Sequence, residues 1–119
     1  AAVSQILGGS LRQIEYAAEM AMEHNLGLTC DPVEGFVQIP CIERNMTASL
    51  RAFESASFSL LTDGHHLVSF DDAVEVMYRT GHDLQSAYRE TAQGGLASLW
   101  RKRVHQERAK AAGGQGSGC

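Results

Sequence analysis

Apolar residues recur every three or four positions near the start of the chain. This spacing predicts a helix over residues 10–24, with Ser10 as its N-terminal cap. Its apolar positions are Leu11, Ile14, Ala18, Ala21 and Met22. Its charged positions, on the other side, are Arg12, Glu15, Glu19 and Glu23. One face of this helix is therefore expected to be buried and the opposite face to meet solvent.

The same kind of pattern predicts three more helices. The second begins near Pro40, which suits a first helical turn, and stops at the turn signal Asp63-Gly64. Much of its apolar side is formed by Ile42, Met46, Leu50, Phe53 and Leu60. The third begins after Ser69, extends to residue 92 and is broken or bent at Gly81, and the fourth follows the letters QGG over residues 96–112. No segment alternates as a strand would, so the predicted fold class is all-α.

A long loop joins the first two predicted helices. Residues 25–40 have neither a helical nor a strand period, and such a long loop in a compact helical domain is usually functional or disordered. This loop is too apolar for disorder. Its apolar residues, all expected to be buried, are Leu26, Leu28, Val33, Phe36, Val37 and Ile39. The expected architecture is a helical domain with a long cysteine-containing loop between two helices.

Length and composition indicate one domain. The 119 residues are 44% hydrophobic and 20% charged, as in ordinary globular chains, and no apolar run approaches a membrane span. We expect residues 1–112 to form the helical part and residues 113–119 a flexible, glycine-rich tail that ends in Cys119. The start lacks both a signal peptide and an initiator methionine, which favours a cytoplasmic location and a piece of a longer polypeptide.

Charge is distributed unevenly along the chain. Residues 1–100 carry 13 acidic and 5 basic side chains, whereas residues 101–119 carry 1 acidic and 5 basic ones. The basic block suits the end of a helix, where cations complement the helix dipole. The acidic character of the rest argues against a nucleic-acid binder.

The cysteines of the loop region allow four chemistries. A disulfide between Cys30 and Cys41 requires an oxidising compartment, which the absent signal peptide disfavours. Zinc usually binds closer pairs of cysteines, although His24 is near. An iron–sulfur cluster takes thiolates from separate parts of a chain, and two buried, inert thiols are the fourth reading. Composition and spacing leave these alternatives open.

Two stretches of the sequence resemble a known family. They are AAEMAMEHNLGLTCDPVEGFVQIPCIERN and SFDDAVEVMYRTGHDLQSAYRETAQGGLA, and over residues 14–97 the chain is similar to the α (catalytic) domain of iron–sulfur-dependent L-serine dehydratases, or L-serine ammonia-lyases. The blocks GLTCDP and QIPCIERN are the most specific. The resemblance implies a mostly helical domain, the C-terminal part of that α domain, in which Cys30 and Cys41 ligate a 4Fe-4S cluster. The loop would then be the cluster-binding loop.

The resemblance also implies a reaction and a set of partners. Such enzymes convert L-serine to pyruvate and ammonia, with an open cluster iron as Lewis acid for the leaving hydroxyl and a base for the α proton. The expected partners are L-serine, the remainder of the polypeptide or a partner subunit, and a second copy in a homodimer, with no nucleic acid and no membrane. Two other functions are a cluster-dependent β-eliminase of a related amino acid such as cysteine, and a non-catalytic helical association module.

Further candidate site residues flank the cysteines. His24 and Asn25 are candidates for proton transfer or, alternatively, cap the end of the first predicted helix. Arg44 and Asn45 are candidates for binding the substrate carboxylate. Cys119 is a candidate tail ligand, since its thiolate and terminal carboxylate resemble the groups that serine presents.

The chain also departs from the family pattern. The third cluster cysteine of the family lies upstream of the matched region, so we expect this chain alone to hold no stable cluster and to be inactive. Glu34 stands where the family has glycine in DPVGG. Ala87 and Gln93 replace a lysine and an arginine of the family pattern KYRETSRGGLA, which removes two positive charges.

Overall fold

A computed structural model describes residues 1–113 of the chain. It contains five α-helices and two short 3-10 helices. The α-helices are α1 (Ala2–Ile6), α2 (Leu11–Glu23), α3 (Cys41–Leu60), α4 (Phe70–Asp83) and α5 (Gly95–Gly113), and the 3-10 helices are Val33–Gly35 and Ser86–Tyr88. In the described range the extended pairing is a single isolated bridge between Cys30 and Arg89. The all-α prediction is confirmed.

The predicted start of α2 is confirmed in detail. The Ser10 hydroxyl accepts a hydrogen bond from the Gln13 amide, and the Gln13 side chain accepts one from the Ser10 amide, which forms a capping box. The Gln13 side-chain amide also donates to the Thr62 carbonyl at 2.7 Å. The beginning of α2 is thereby joined to the chain that follows α3.

The third predicted helix is shorter in the structure than the predicted stretch, residues 69–92. Ser69 caps α4 through a second capping box with Asp72, as its position predicted. Helix α4 is not broken at Gly81 but ends at Asp83, with the amide of Leu84 bonded to the Thr80 carbonyl, and the 3-10 helix Ser86–Tyr88 follows. A single glycine lowers helix propensity by about 1 kcal/mol, which is too little to end a helix on its own. The short helix α1 was not predicted.

The chain divides into two compact units. The first consists of Ala1–Leu28 and Glu43–Leu84, and the second begins with Thr29–Ile42 and continues from Gln85. The first unit therefore contains α1, α2, α4 and most of α3. The second contains the cysteine loop, the first two residues of α3, the 3-10 helices and α5.

Small side chains fill the interior of the first unit. The fully buried residues of α2, α3 and α4 include Ala17, Ala56 and Ala73, and Ser59 is 0% exposed. The apolar side predicted for α3 lies mostly at the surface. Ile42, Met46, Leu50 and Phe53 are 58–64% exposed, whereas Leu60 is half-buried. Helix α3 packs its small residues inward because they allow close approach, and this leaves its large apolar residues at the surface.

Glu19 of α2 lies on the buried side of its helix. The pattern placed it among the charged, outward-facing positions, but the residue is 3% exposed. Its Oε1 atom has no hydrogen-bond partner among the described residues. Burial raises the pKa of this carboxyl, and the negative charge of Glu23 raises it further.

The second unit is built around the loop and the start of α5. Asp31 is 2% exposed, Ala97 is also buried, and Pro32 is among the most deeply buried side chains. The Val33 amide donates to the Ile39 carbonyl at 2.9 Å, which closes the loop upon itself. Four of the apolar residues expected to be buried are 58–65% exposed, namely Leu28, Phe36, Val37 and Ile39. None of the described helices is long and apolar enough to cross a membrane.

Candidate functional site

Cys30 is held through its backbone. Its amide donates to the Tyr88 carbonyl at 2.9 Å, and its carbonyl accepts from the Glu90 amide at 2.8 Å. These bonds form the isolated parallel bridge with Arg89. The Cys30 residue is half-buried. Its position is therefore set by main-chain contacts on both sides, which are insensitive to the identity of the neighbouring side chains.

The next residue, Asp31, joins the loop to the first turn of α5. Its buried carboxylate accepts a hydrogen bond from the Leu96 amide at 2.6 Å. A carboxylate at this end of a helix is favoured, because the first amides of the helix have no partner within it and the helix dipole is positive there. Asp31 was not among the predicted site residues. The only signals in the sequence were its place after Cys30 and the glycine pair before Leu96.

Cys41 is the first residue of α3 and is half-buried. It belongs with Cys30 to the segment Thr29–Ile42 of the second unit. The Ile42 amide donates to the Gln38 carbonyl at 2.9 Å, so the end of the loop leads directly into the first turn of the helix. Neither thiol forms a disulfide bond. The structure thus places the two predicted ligands in one short, ordered segment.

His24 and Asn25 lie at the end of α2 in the first unit. His24 Nδ1 is 2.6 Å from the Met20 carbonyl oxygen, and the Asn25 side-chain amide donates to the Ala21 carbonyl at 2.6 Å. Both side chains therefore bond to the last carbonyls of the helix. This is the capping arrangement that the sequence offered as the alternative, and their part in proton transfer stays a prediction.

His24 also borders an open groove of about 260 Å³ in the first unit. The groove is lined by Met20, His24, Arg51, Glu54, Ser55 and Phe58. The guanidinium group that lines this groove together with His24 belongs to Arg51, which was not among the predicted site residues. Arg44 and Asn45 lie near the start of α3 and are exposed, and their predicted role in carboxylate binding stays a prediction.

Glu34 adopts a backbone conformation that favours glycine. Its φ is 55°, in the left-handed region, where a side chain is unfavourable. It borders a groove of about 220 Å³ in the second unit, which Phe36 and Trp100 also line, and another of about 210 Å³ that includes Arg101 and Arg108. Glu34 thus combines a strained backbone with a negative charge beside a basic surface.

Cys119, the candidate tail ligand, lies outside the described residues, as do residues 114–118. Within the described part of the chain, no group of three or more histidine, cysteine, aspartate or glutamate residues could hold a metal ion. The role of Cys30 and Cys41 as cluster ligands therefore stays a prediction.

The family of the chain follows from a comparison of its sequence with known proteins. The family model of the serine dehydratase alpha chain matches residues 1–97, a range that includes both loop cysteines, Asp31 and the start of α5. The chain belongs to the serine dehydratase alpha-chain family. The resemblance found in the loop is thereby confirmed over most of the chain.

Curated members of the serine dehydratase family show how much of a whole protein is present. The chain is 55% identical over 96 residues to the L-serine dehydratase of Streptomyces coelicolor, which is 81% of this chain and 21% of that protein. It is 54% identical over 97 residues to L-serine dehydratase 1 of Escherichia coli, or 82% of this chain and 21% of that one. For the L-serine dehydratase of Helicobacter pylori the identity is 44% over 95 residues, which is 80% of this chain and 21% of that protein. The chain spans about a fifth of the length of these relatives.

Proposed function

We propose that this chain forms part of the active site of an iron–sulfur-dependent L-serine dehydratase, which converts L-serine to pyruvate and ammonia. The observation that carries the proposal is the placement of Cys30 and Cys41. Both thiols are half-buried, lie within one short segment, and fall inside the range of the family match. The remaining parts of the enzyme would come from the rest of a longer polypeptide or from a partner subunit, with a homodimer as the proposed assembly.

The donor set suits part of a 4Fe-4S site. Thiolates are the ligands that iron–sulfur clusters require, and the main chain fixes Cys30 on both sides. Two thiols are too few for the three ligands of a cluster with an open iron. We therefore infer that Cys30 and Cys41 hold two irons of the cluster and that a third cysteine comes from elsewhere in the enzyme. Such a site needs a reducing compartment, so the proposal places the enzyme in the cytoplasm.

When bound, the cluster would supply a Lewis acid for the departure of the serine hydroxyl group. The chain itself would orient the substrate. Arg44 offers a guanidinium group, which pairs with a carboxylate through two parallel hydrogen bonds, and Asn45 offers a side-chain amide. Both residues are exposed near the start of α3. We propose that they bind the serine carboxylate.

His24 is our candidate for proton transfer, with Asn25 beside it. The Met20 carbonyl can only accept a hydrogen bond, so the contact at 2.6 Å places a hydrogen on His24 Nδ1. In the neutral ring the lone pair is then at Nε2, which is the atom able to take up the α proton of the substrate. The imidazole is held in this tautomer by α2 itself.

A separate observation favours the alternative function, a non-catalytic association module. Met46, Leu50 and Phe53 of α3 form a row of large apolar side chains that are 58–59% exposed. Such a row suits association with another protein surface. The β-eliminase of a related amino acid such as cysteine has no separate support in the structure, since the same thiols would serve it.

A chimaeric enzyme tests the proposal. The segment of the Streptomyces coelicolor L-serine dehydratase that matches this chain is replaced by residues 1–97, and iron, sulfide and pyruvate formation are measured under anaerobic conditions. We expect a cluster and activity toward L-serine in excess of activity toward L-cysteine. Cys41→Ala should lower activity at least about 100-fold, beyond the 10- to 100-fold typical of changes around metal ligands. Ser57→Ala, at an exposed position of the same helix, is the control and should leave both iron and activity unchanged.

The chain alone provides the other arm of this experiment. With two thiols of the proposed set, it should hold no stoichiometric iron and form no pyruvate from serine. A chimaera that binds no iron, or a Cys41→Ala variant with full activity, would contradict the proposed function. A folded chimaera that assembles but is inactive with every amino acid would support the association module instead.

A further inference from the structure

We propose that Asp31 is a positioning residue that fixes the thiol of Cys30 by anchoring the loop to the start of α5. The expected consequence, retention of the cluster, rests on the proposed function. The cause is a contact in the structure: the buried Asp31 carboxylate accepts a hydrogen bond from the Leu96 amide at 2.6 Å. The two residues are 65 positions apart in the sequence, so this hydrogen bond closes a long stretch of chain.

Both glycines before Leu96 are closely packed, and Gly95 lies against this carboxylate. Gly95 has a φ of 56°, and a Cβ atom there would lie 2.8 Å from Asp31 Cγ and 2.9 Å from Asp31 Cβ. A Cβ atom on Gly94 would lie 2.6 Å from the Ala87 carbonyl oxygen. Both positions therefore need glycine because another group already occupies the space. The anion at this helix start is the side chain of Asp31, which belongs to the protein itself.

The bond between Asp31 and Leu96 lies beside a second set of contacts, which hold the backbone of Cys30. Cys30 is bonded through its amide to Tyr88 and through its carbonyl to Glu90. Together with the bond of Asp31 to Leu96, three hydrogen bonds tie two consecutive loop residues to one stretch of the second unit. The backbone around Cys30 is thus held at both sides of the residue that carries the thiol.

The chain between the two anchors is strained. Glu90 has a φ of 61° and Ala92 a φ of 54°, in the left-handed region that disfavours residues with a side chain. Such conformations persist where the surrounding contacts determine the backbone path. Here the contacts include those of Cys30 at one end and of Asp31 at the other, together with the bonds of Thr91 to the Ser86 carbonyl and of Arg101 to the Ala92 carbonyl. Loss of the Asp31 carboxylate would remove the contact at the α5 end of this stretch.

The burial of Asp31 argues for positioning and against a direct part in the chemistry. Its carboxylate is 2% exposed and bonded to a main-chain amide of α5. The positive end of the helix dipole favours a negative charge at this position. Its effect on the reaction would pass through Cys30, the adjacent residue.

The experiment uses the chimaeric dehydratase with Asp31→Ala and Asp31→Asn. Iron per polypeptide is measured in the loaded enzyme, and hydrogen exchange at the amides of Cys30, Glu90 and Leu96 is measured in the cluster-free enzyme. We expect exchange at these amides to be about tenfold faster in Asp31→Ala, as for the loss of a helix cap. Iron should be lost several times faster on exposure to chelator. Asp31→Asn keeps an acceptor oxygen without the charge, and both effects should be smaller.

Asp72→Asn is the matched control, since its carboxylate also accepts an amide hydrogen bond at a helix start, from Ser69 of the first unit. It should leave iron retention unchanged. Unchanged exchange in Asp31→Ala, unchanged iron retention, or equal loss of iron in Asp72→Asn would each overturn the inference. If the unsubstituted chimaera held no iron, the proposed function would be wrong and the inference would fail with it. Iron in the unsubstituted enzyme that Asp31→Ala retains fully would overturn the inference alone.

Discussion

Replacing Gly95 by alanine adds one methyl group at the point where the Asp31 carboxylate meets α5. The added Cβ atom would lie 2.8 Å from Asp31 Cγ and 2.9 Å from Asp31 Cβ, where carbon atoms are normally at least 3.4 Å apart. The backbone at this position has a φ of 56°. The substitution therefore combines a steric collision with an unfavourable backbone conformation.

The two contributions can be sized separately. A side chain in the left-handed region costs about 1–2 kcal/mol. Crowding in a packed site typically costs about 1–3 kcal/mol more. We expect Gly95→Ala to lower the free energy of unfolding by about 2–5 kcal/mol. A domain of this size has about 5–15 kcal/mol in total, so the loss would be a large fraction of it.

Two other glycines isolate the two contributions. Gly35 has a φ of 78° and no atom within 4 Å of an added Cβ, so Gly35→Ala should show the backbone cost alone, about 1–2 kcal/mol. Gly81 lies inside α4 with no atom within 4 Å of an added Cβ. Gly81→Ala should stabilise the chain by about 0.5–1 kcal/mol through helix propensity.

Urea titration followed by the fluorescence of Trp100 measures these differences. Trp100 is the one tryptophan of the sequence and lies in α5, so its emission reports on the second unit. Helix content from circular dichroism reports on the whole chain and suits Gly81→Ala in the first unit. Trimethylamine oxide can extend the folded baseline where stability is low. A Gly95→Ala variant no less stable than Gly35→Ala would refute the proposed crowding against Asp31.

Two further predictions concern glutamates in unfavourable places. Burial raises the pKa of Glu19 above its ordinary value of 4.5, so the folded chain loses stability as the pH rises through that raised pKa. Glu19→Gln should therefore stabilise the chain at pH 7, with a gain that fades as the pH falls toward about 4, and an equal gain in thermal unfolding at both pH values would contradict this. Glu34→Gly should stabilise the second unit by about 1–2 kcal/mol, because glycine takes up a φ of 55° without strain. Reduced stability in the same urea titration would show that the Glu34 side chain makes contacts that outweigh the strain.

Local signals predicted most of the helices correctly. Ser10 and Ser69 were recognisable as caps because each is followed three residues later by a side chain that completes a capping box. The end of α4 was mispredicted because Gly81 weakens a helix without determining where it stops. Helix caps depend on residues close together in the sequence, which is why they could be predicted from the sequence alone.

Burial was harder to predict than helix position. The apolar spacing of α3 indicated an apolar face but carried no information on what covers it. In the structure Ser55 and Ala56 face inward, while Met46 and Leu50 are 58% exposed. Small residues were overlooked as core because their side chains contribute little to a hydrophobic pattern. Their value lies in letting helices approach closely.

The candidate site was predictable only in part for a similar reason. The positions of Cys30 and Cys41 in one loop could be read directly, yet their spacing left four chemistries open until a family resemblance favoured one. Asp31 escaped notice because its partner, Leu96, is 65 residues away. The Gly94-Gly95 pair lies before a helix start, and no local sequence rule indicates that the anion there is a side chain of the same chain.

The helical interior and the cysteine loop are held together by different kinds of contact. Among the described residues, the buried apolar side chains other than those of Pro32 and Pro40 are four alanines, Ala17, Ala56, Ala73 and Ala97. Each alanine contributes little free energy from burial, since that energy grows with the apolar area removed from water. The loop that carries Cys30 depends instead on hydrogen bonds to the main chain, which have fixed directions and lengths. A ligand thiol needs a defined position more than it needs a large core, and directional bonds supply that position even where the surrounding apolar surface is exposed.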